Sequence, residues 1–424
     1  MIKRKIFKQL VGQGKDKKIS LIFGPRQSGK TTILKELYNE FCVKQKYNGL
    51  FLDIDILSSA EKIKTYEDAI STFRLSGYDE NQKSLFYVFL DEIQKYSNST
   101  KILKNIYDSN QNIKIYATGS SALQIKDLAQ ESLAGRKIIN YLYTLDFFEY
   151  LWFKDDKTAI SQYENIANVY SKDMALAARE LYSRMEEFII YGGYPEVALT
   201  NEPAKKKELL AGIFELFLKK DVLDYISQNK LFSAKKVLEY LALNNGRKIK
   251  YEEITALSQM NFKELKSFIE VLSEIFLIKE VRPYFTNKNN ELVKVPKFYF
   301  LDNGARNFFI NNFNQCSIRN DCGFLFEGFI FSEIIKNSDF SVLYWEDKNN
   351  FEVDFVINKV SCLIPIEVKY KKTLSRSDFR GIIKYMSIYK NTKTGIIVNL
   401  NEETKESGIH KILPFGIGEK INDC

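Results

Sequence analysis

At 424 residues the chain is long enough for several domains of roughly 150 residues each, and its 45% hydrophobic and 27% charged content excludes a disordered protein. The net charge of +8 is concentrated in residues 1–23 and 200–300, no apolar run reaches the roughly 20 residues that span a bilayer, and the basic N-terminus has no apolar core; a cytoplasmic protein without a membrane partner is expected. Five cysteines without CxxC spacing and a single histidine, His410, exclude a disulfide framework, a zinc ribbon and a Ser–His–Asp triad, so catalysis must use carboxylates, lysine, arginine and hydroxyls.

Residues 19–145 alternate short apolar runs with helical patterns, which predicts an α/β fold with a parallel sheet covered by helices. The first run, ISLIF, leads into GPRQSGKTT at 24–32, a match to G-x-x-x-x-G-K-[ST]. Gly24, Pro25, Arg26, Gln27, Ser28, Gly29, Lys30, Thr31 and Thr32 would form the loop that binds ATP, the Gly24 and Gly29 backbones letting successive N–H groups curl around the phosphates at a helix N-terminus. Lys30 would neutralise the β- and γ-phosphates, and the Thr31 hydroxyl would ligate Mg²⁺. The strand LFYVFLDE ends in Asp91, placed to hold the metal, and Glu92, placed to activate the attacking water. A third strand, IKIYATGSS, offers Thr118, Ser120 and Ser121, with Ser120 expected at the γ-phosphate. Arg136, in SLAGRK, is the expected arginine finger for the transferring phosphoryl group, in its own chain or on a neighbour.

GPRQSGKTT, FLDEIQKY, ATGSSA and LAGRK followed by LDFFEYL resemble the predicted archaeal and bacterial ATPases of the AAA+ superfamily. In that family a P-loop domain precedes a C-terminal region of unassigned function. YGGYPEVAL, KVPKFYFLDNGARN and EVDFVI…IEVKY extend the resemblance over most of residues 17–371. It implies ATP binding and hydrolysis. One departure is Thr144-Leu145-Asp146-Phe147, where the family usually has Pro-Leu-Ser-Phe, which touches the connector to the lid.

The expected order is therefore a P-loop domain over 1–150, a helical lid over 151–228, a winged-helix-like module over 229–305 and a C-terminal α/β domain over 306–424. In the module, three helical stretches precede a strand pair, and Lys263 and Lys266 open the third helix, where a DNA-reading helix would meet the major groove. In the last domain, FEVDFVI and PIEVKY read as two strands joined by a turn. Alternation would bring Asp354, Glu367 and Lys369 to one surface, and a preceding helix would add Glu327. Gathered carboxylates need a cation, Mg²⁺ or Mn²⁺, and Lys369 would then position water or stabilise developing charge. The arrangement resembles the restriction-endonuclease-like fold.

Two functions follow. One is an ATP-hydrolysing protein that couples nucleotide state to a DNA-associated nuclease-like domain. The other is a nucleotide-controlled switch that binds DNA or a protein, as a homo-oligomer in some states, with the last domain an inactive scaffold.

Overall fold

A computed structural model describes residues 4–96, 98–109, 112–119, 133–168, 179–223, 225–286, 291, 294–359, 362–401, 404–406 and 408–423. The chain divides into two compact units: residues up to Thr144 with Glu274–Phe276, and Leu145–Ser273 with Leu277 onward.

The first unit is built on five parallel strands: β1 (Ile19–Phe23), β2 (Gly49–Asp53), β3 (Phe86–Asp91), β4 (Ile113–Gly119) and β5 (Lys137–Tyr141). Their order is β2-β3-β4-β1-β5. The three central strands are buried along their whole length, as parallel strands covered on both faces must be. Side-chain alternation sorts them onto two cores. Ile22, Tyr87, Phe89 and Tyr116 pack with Leu10, Ile33, Leu34 and Leu37 of helices α1 (Ile6–Gly12) and α2 (Lys30–Tyr38). Leu21, Phe23, Val88, Leu90 and Ile115 pack on the other face with Phe73, Leu103 and Ile106. The latter three belong to α4 (Tyr66–Leu75) and α5 (Ser99–Ser109), which follow the short α3 (Leu57–Glu61).

The second unit begins with helices from Phe147–Phe153 to Pro203–Phe217. Asp146 starts the first of them, accepting the Glu149 N–H at 2.7 Å in a reciprocal capping box. Asp146, the third residue of the Thr144–Phe147 connector, thus serves as the helix cap. Next come three helices, Leu231–Leu243, Tyr251–Ser258 and Phe262–Glu274, and the antiparallel pair β6 (Ile278–Val281) and β7 (Lys297–Phe300), in the element order the sequence predicts.

The C-terminal part holds the helix Cys322–Asn337, six strands and the helix Arg380–Ile388 between β10 and β11. The strands are β8 (Ser341–Glu346), β9 (Glu352–Asn358), β10 (Leu363–Val368), β11 (Gly395–Val398), β12 (Thr404–Glu406) and β13 (Ile409–Ile412), in the order β12-β13-β11-β10-β9-β8. β8, β9 and β10 are antiparallel; β10, β11 and β13 run parallel. Sequence periodicity finds β9 and β10 but not β8, whose run SVLYWE has no clean alternation because four successive residues are buried. No described helix is long and apolar enough to cross a membrane.

Candidate functional site: a phosphate loop and a carboxylate–lysine cluster

The loop after β1 fits a polyphosphate. A Cβ on Gly24 would stand 2.0 Å from the Leu142 carbonyl oxygen, so only glycine lets the chain leave the sheet here. Gly29, at φ 95°, is the left-handed residue from which α2 starts. Arg4 buttresses the loop from outside the motif: its Nη1 donates to the Ser28 carbonyl at 2.9 Å and its Nη2 to the Tyr143 carbonyl at 2.7 Å. Within the loop, Lys30 is buried and its Nζ donates to the carbonyls of Gly24 (3.0 Å) and Pro25 (2.9 Å). Ser28 is fully buried and its hydroxyl oxygen has no hydrogen-bond partner. An ammonium resting on carbonyls and an orphaned hydroxyl inside a glycine-hinged turn are what an anion would engage. Pro25 is buried, Arg26 and Thr31 are half-buried, and Gln27 and Thr32 are exposed, so the loop is a rim rather than a closed cavity.

The strand order brings the remaining groups to this end. β4 lies between β1 and β3, with Thr118 beside Ile22, so its side chain meets the end of β3. The Thr118 hydroxyl donates to Asp91 Oδ1 and accepts the Glu92 N–H at 3.1 Å. Thr118 is fully buried and Asp91 nearly so. Glu92 has φ 56°, uncommon for a non-glycine residue, and Gln94 Nε2 donates to its Oε2. Thr118 thus fixes the acidic pair, whereas the sequence offers it only as one of three possible phosphate sensors. Ser120 and Ser121 lie outside the described residues.

Arg136 does not join this site. It precedes β5, and Lys137 pairs with Ile19 at the start of β1, whereas the loop leaves the other end of β1. Four residues of strand, about 13 Å, separate the two ends. Arg136 is also held bidentately by Asp108 at 2.7 and 3.1 Å, which lowers the Asp108 carboxyl's pKa and raises that of the guanidinium. The sequence places it after the third strand but cannot show which end of the sheet it occupies.

The C-terminal residues do converge. β9 pairs with β10 in the register Phe355–Ile366, which carries Asp354 toward Glu367. Asp354 Oδ2 accepts the Val368 N–H at 2.8 Å, and Lys369 Nζ donates to Glu367 Oε1. Glu327 Oε1 accepts the Tyr299 hydroxyl at 2.5 Å, and Lys297 Nζ donates to Glu352 Oε1. Burial raises the carboxyls of Glu327, Asp354 and Glu367, and the Asp354 charge raises the two glutamates further. Burial alone would lower the two ammonium groups, but the surrounding acids hold Lys297 and Lys369 above the usual lysine value. Glu367 is 8% exposed and its Oε2 has no partner. Among the described residues no group of three or more His, Cys, Asp or Glu side chains is arranged to hold a metal. Glu327, Asp354, Glu367 and Lys369 thus stand as a carboxylate–lysine cluster, with Lys369 on Glu367 and Tyr299 on Glu327. Sequence reasoning misses Lys297 and Tyr299, for which the only signal is a lysine at the head of an otherwise apolar strand, KFYF.

Residues 16–151 match a family model described as "AAA domain". Residues 182–315 and 322–417 match two models described as "Domain of unknown function", DUF8612 and DUF4143. An uncharacterised protein of Methanocaldococcus jannaschii is 26% identical over 350 residues, covering 80% of this chain and 72% of that one. A second from the same organism is 26% identical over 71% of this chain, which spans 64% of that protein's length. An uncharacterised protein of Haemophilus influenzae is 25% identical over 97% of both chains. Among solved structures, a Walker-type ATPase of Pyrococcus abyssi superposes with a TM-score of 0.47 at 16% identity, covering 73% of this chain and 96% of that one. The ORC2 protein of Aeropyrum pernix in its ADPNP–ADP complexes gives 0.40 at 12% identity, covering 73% and 92%. In its family match, its five-stranded parallel sheet and its phosphate loop, the N-terminal unit is similar to the AAA domain.

Proposed function

We propose that the chain binds and hydrolyses ATP and uses its nucleotide state to control the C-terminal half. The observation that carries this reading is the Thr118 hydroxyl, which ties Asp91 and Glu92 together at the sheet end that bears the phosphate loop. Gly24 to Thr32 would hold the polyphosphate, Lys30 exchanging its carbonyl contacts for phosphate oxygens. Thr31 and Asp91 would hold Mg²⁺, which supplies charge neutralisation when bound. Glu92 would orient the attacking water and accept its proton. The test is nucleotide affinity and ATP turnover with Lys30→Ala and Glu92→Gln. We expect the first to lose binding and the second to keep binding while losing turnover by about 100-fold or more. Binding unchanged in Lys30→Ala would refute the assignment.

For the second unit the reading is a winged-helix-like module followed by a restriction-endonuclease-like domain associated with DNA. It is supported by the three-helix-plus-hairpin order and by the Asp354, Glu367 and Lys369 grouping. Asp354 and Glu367 offer hard oxygen ligands for Mg²⁺ or Mn²⁺, and the partnerless Glu367 Oε2 fits such a cation. The alternative, a nucleotide-controlled switch with an inactive nuclease-like scaffold, is favoured by one observation: Lys369 already pairs with Glu367, and Lys297 pairs with Glu352, two residues before Asp354. Plasmid cleavage in Mg²⁺ or Mn²⁺, with and without ATP, separates them. Cleavage that disappears in Lys369→Ala supports the nuclease; none in the wild type supports the switch.

A further inference from the structure

The cluster in the C-terminal domain is not built by that domain alone. β7, the second strand of the hairpin that closes the three-helix module, carries Lys297 and Tyr299 two residues apart and therefore on one face. They reach the edge of the cluster, since Glu352 stands two residues from Asp354 on the same face of β9. Lys297 Nζ donates to Glu352, and Tyr299 donates to Glu327. Lys297 is 4% exposed and its ammonium lies 5.0 Å from the centre of the Tyr344 ring, so it is packed in place rather than trailing into solvent. Its strand is fixed on both sides, by the β6 register Val281–Lys297 and by a bridge to Lys248. Lys369, in contrast, follows directly on the strand that bears Glu367 and is a local partner. The cluster thus has one lysine of its own and one delivered from a different module.

A buried ammonium beside several carboxylates does electrostatically what a divalent cation would do, and the two positive charges repel each other through a poorly screened medium. The Glu367 oxygen that remains without a partner shows that the two lysines do not saturate the acids. We propose that Lys297 is a built-in counter-ion that competes with a divalent cation for the Asp354–Glu367 cluster, so that the seating of the β7 hairpin governs metal uptake. The inference rests on reading that cluster as a divalent-cation site. It makes Tyr299 a positioning residue that anchors Glu327 to the same strand.

The test is Mn²⁺ binding to the full chain at fixed pH, by calorimetry and by the electron-paramagnetic-resonance signal of free Mn²⁺. Binding that persists in Asp354→Asn is subtracted as uptake elsewhere. Lys297→Met keeps most of the side-chain volume and removes the charge. We expect it to bind Mn²⁺ about tenfold or more tightly than the wild type. Lys297→Arg, which keeps the charge, should match the wild type, and adding Asp354→Asn to Lys297→Met should abolish the gain. Equal or weaker binding in Lys297→Met than in a wild type that does bind overturns the counter-ion and leaves the cation site standing. No Asp354-dependent binding in either protein overturns both. Far-UV circular dichroism checks the fold, and Lys297→Gln replaces the methionine variant if that one does not fold.

Discussion

Thr118→Val isolates the interaction on which the proposed ATPase site rests. Valine matches threonine in shape but replaces the hydroxyl that donates to Asp91 Oδ1 and accepts the Glu92 N–H. The Asp91 contact is buried, so water cannot take it over, and the Glu92 contact is partly buried; the substitution removes the partner of one carboxylate oxygen and one amide hydrogen. An unsatisfied buried polar group costs about 1–3 kcal/mol, so a stability loss of about 2–4 kcal/mol is expected, read by urea denaturation. If half of that is felt in the transition state because Asp91 and Glu92 lose their common anchor, kcat falls by about 5- to 30-fold. The loop is untouched, so nucleotide affinity should stay within about threefold, measured with a fluorescent ATP analogue. Thr118→Ser should recover most of the turnover. A Thr118→Val enzyme with kcat within about twofold of the wild type would refute the role given to this hydroxyl.

Arg136→Ala should leave the chain's own ATP turnover unchanged to within about twofold, because its partly exposed pair with Asp108 lies at the far end of the sheet; a large loss of kcat at all protein concentrations would contradict that placement. Gly24→Ala should abolish nucleotide binding, since its Cβ would collide with backbone, whereas Gly29→Ala meets no atom within 4 Å and should cost only about 1 kcal/mol of stability from its positive φ; equilibrium binding and thermal melts test the pair. In the second unit, burial would raise the Glu187 carboxyl, but the Lys206 ammonium at 2.6 Å, helped by Lys154, brings it down to about 2. A depressed carboxyl stabilises the fold above its unfolded value near 4.5 and loses that stabilisation as pH falls toward 2, a difference of about 3 kcal/mol. Lys206→Met should therefore be much less stable than the wild type at pH 6 and converge on it toward pH 2; a constant difference across that range would refute the pairing.

The phosphate loop is legible in the sequence because its chemistry lies in nine consecutive residues, and Asp91 and Glu92 because a buried parallel strand reads as an unbroken apolar run. The convergence of Asp354, Glu367 and Lys369 is legible for a similar reason: one turn joins their strands, and the alternation of side chains does the rest. What depends on strand order is not legible. Nothing local says that β4 inserts between β1 and β3, so Thr118 cannot be singled out from its neighbouring hydroxyls, nor Arg136 assigned to the far end. Lys297 and Tyr299 escape because their partners lie 55 and 28 residues away, in elements they neither adjoin nor resemble.

Glu92 bears two demands at one position. Its backbone occupies the left-handed region, which a long side chain enters at a cost of about 1 kcal/mol or more, while the proposed chemistry asks for a carboxylate there. Asparagine tolerates that backbone better and has no carboxylate. Glu92→Asn should therefore melt at a higher temperature than the wild type while turning over no ATP. At this residue selection for thermal stability and selection for turnover pull in opposite directions, and a screen that rewards stability alone would drift toward a protein that holds nucleotide without spending it.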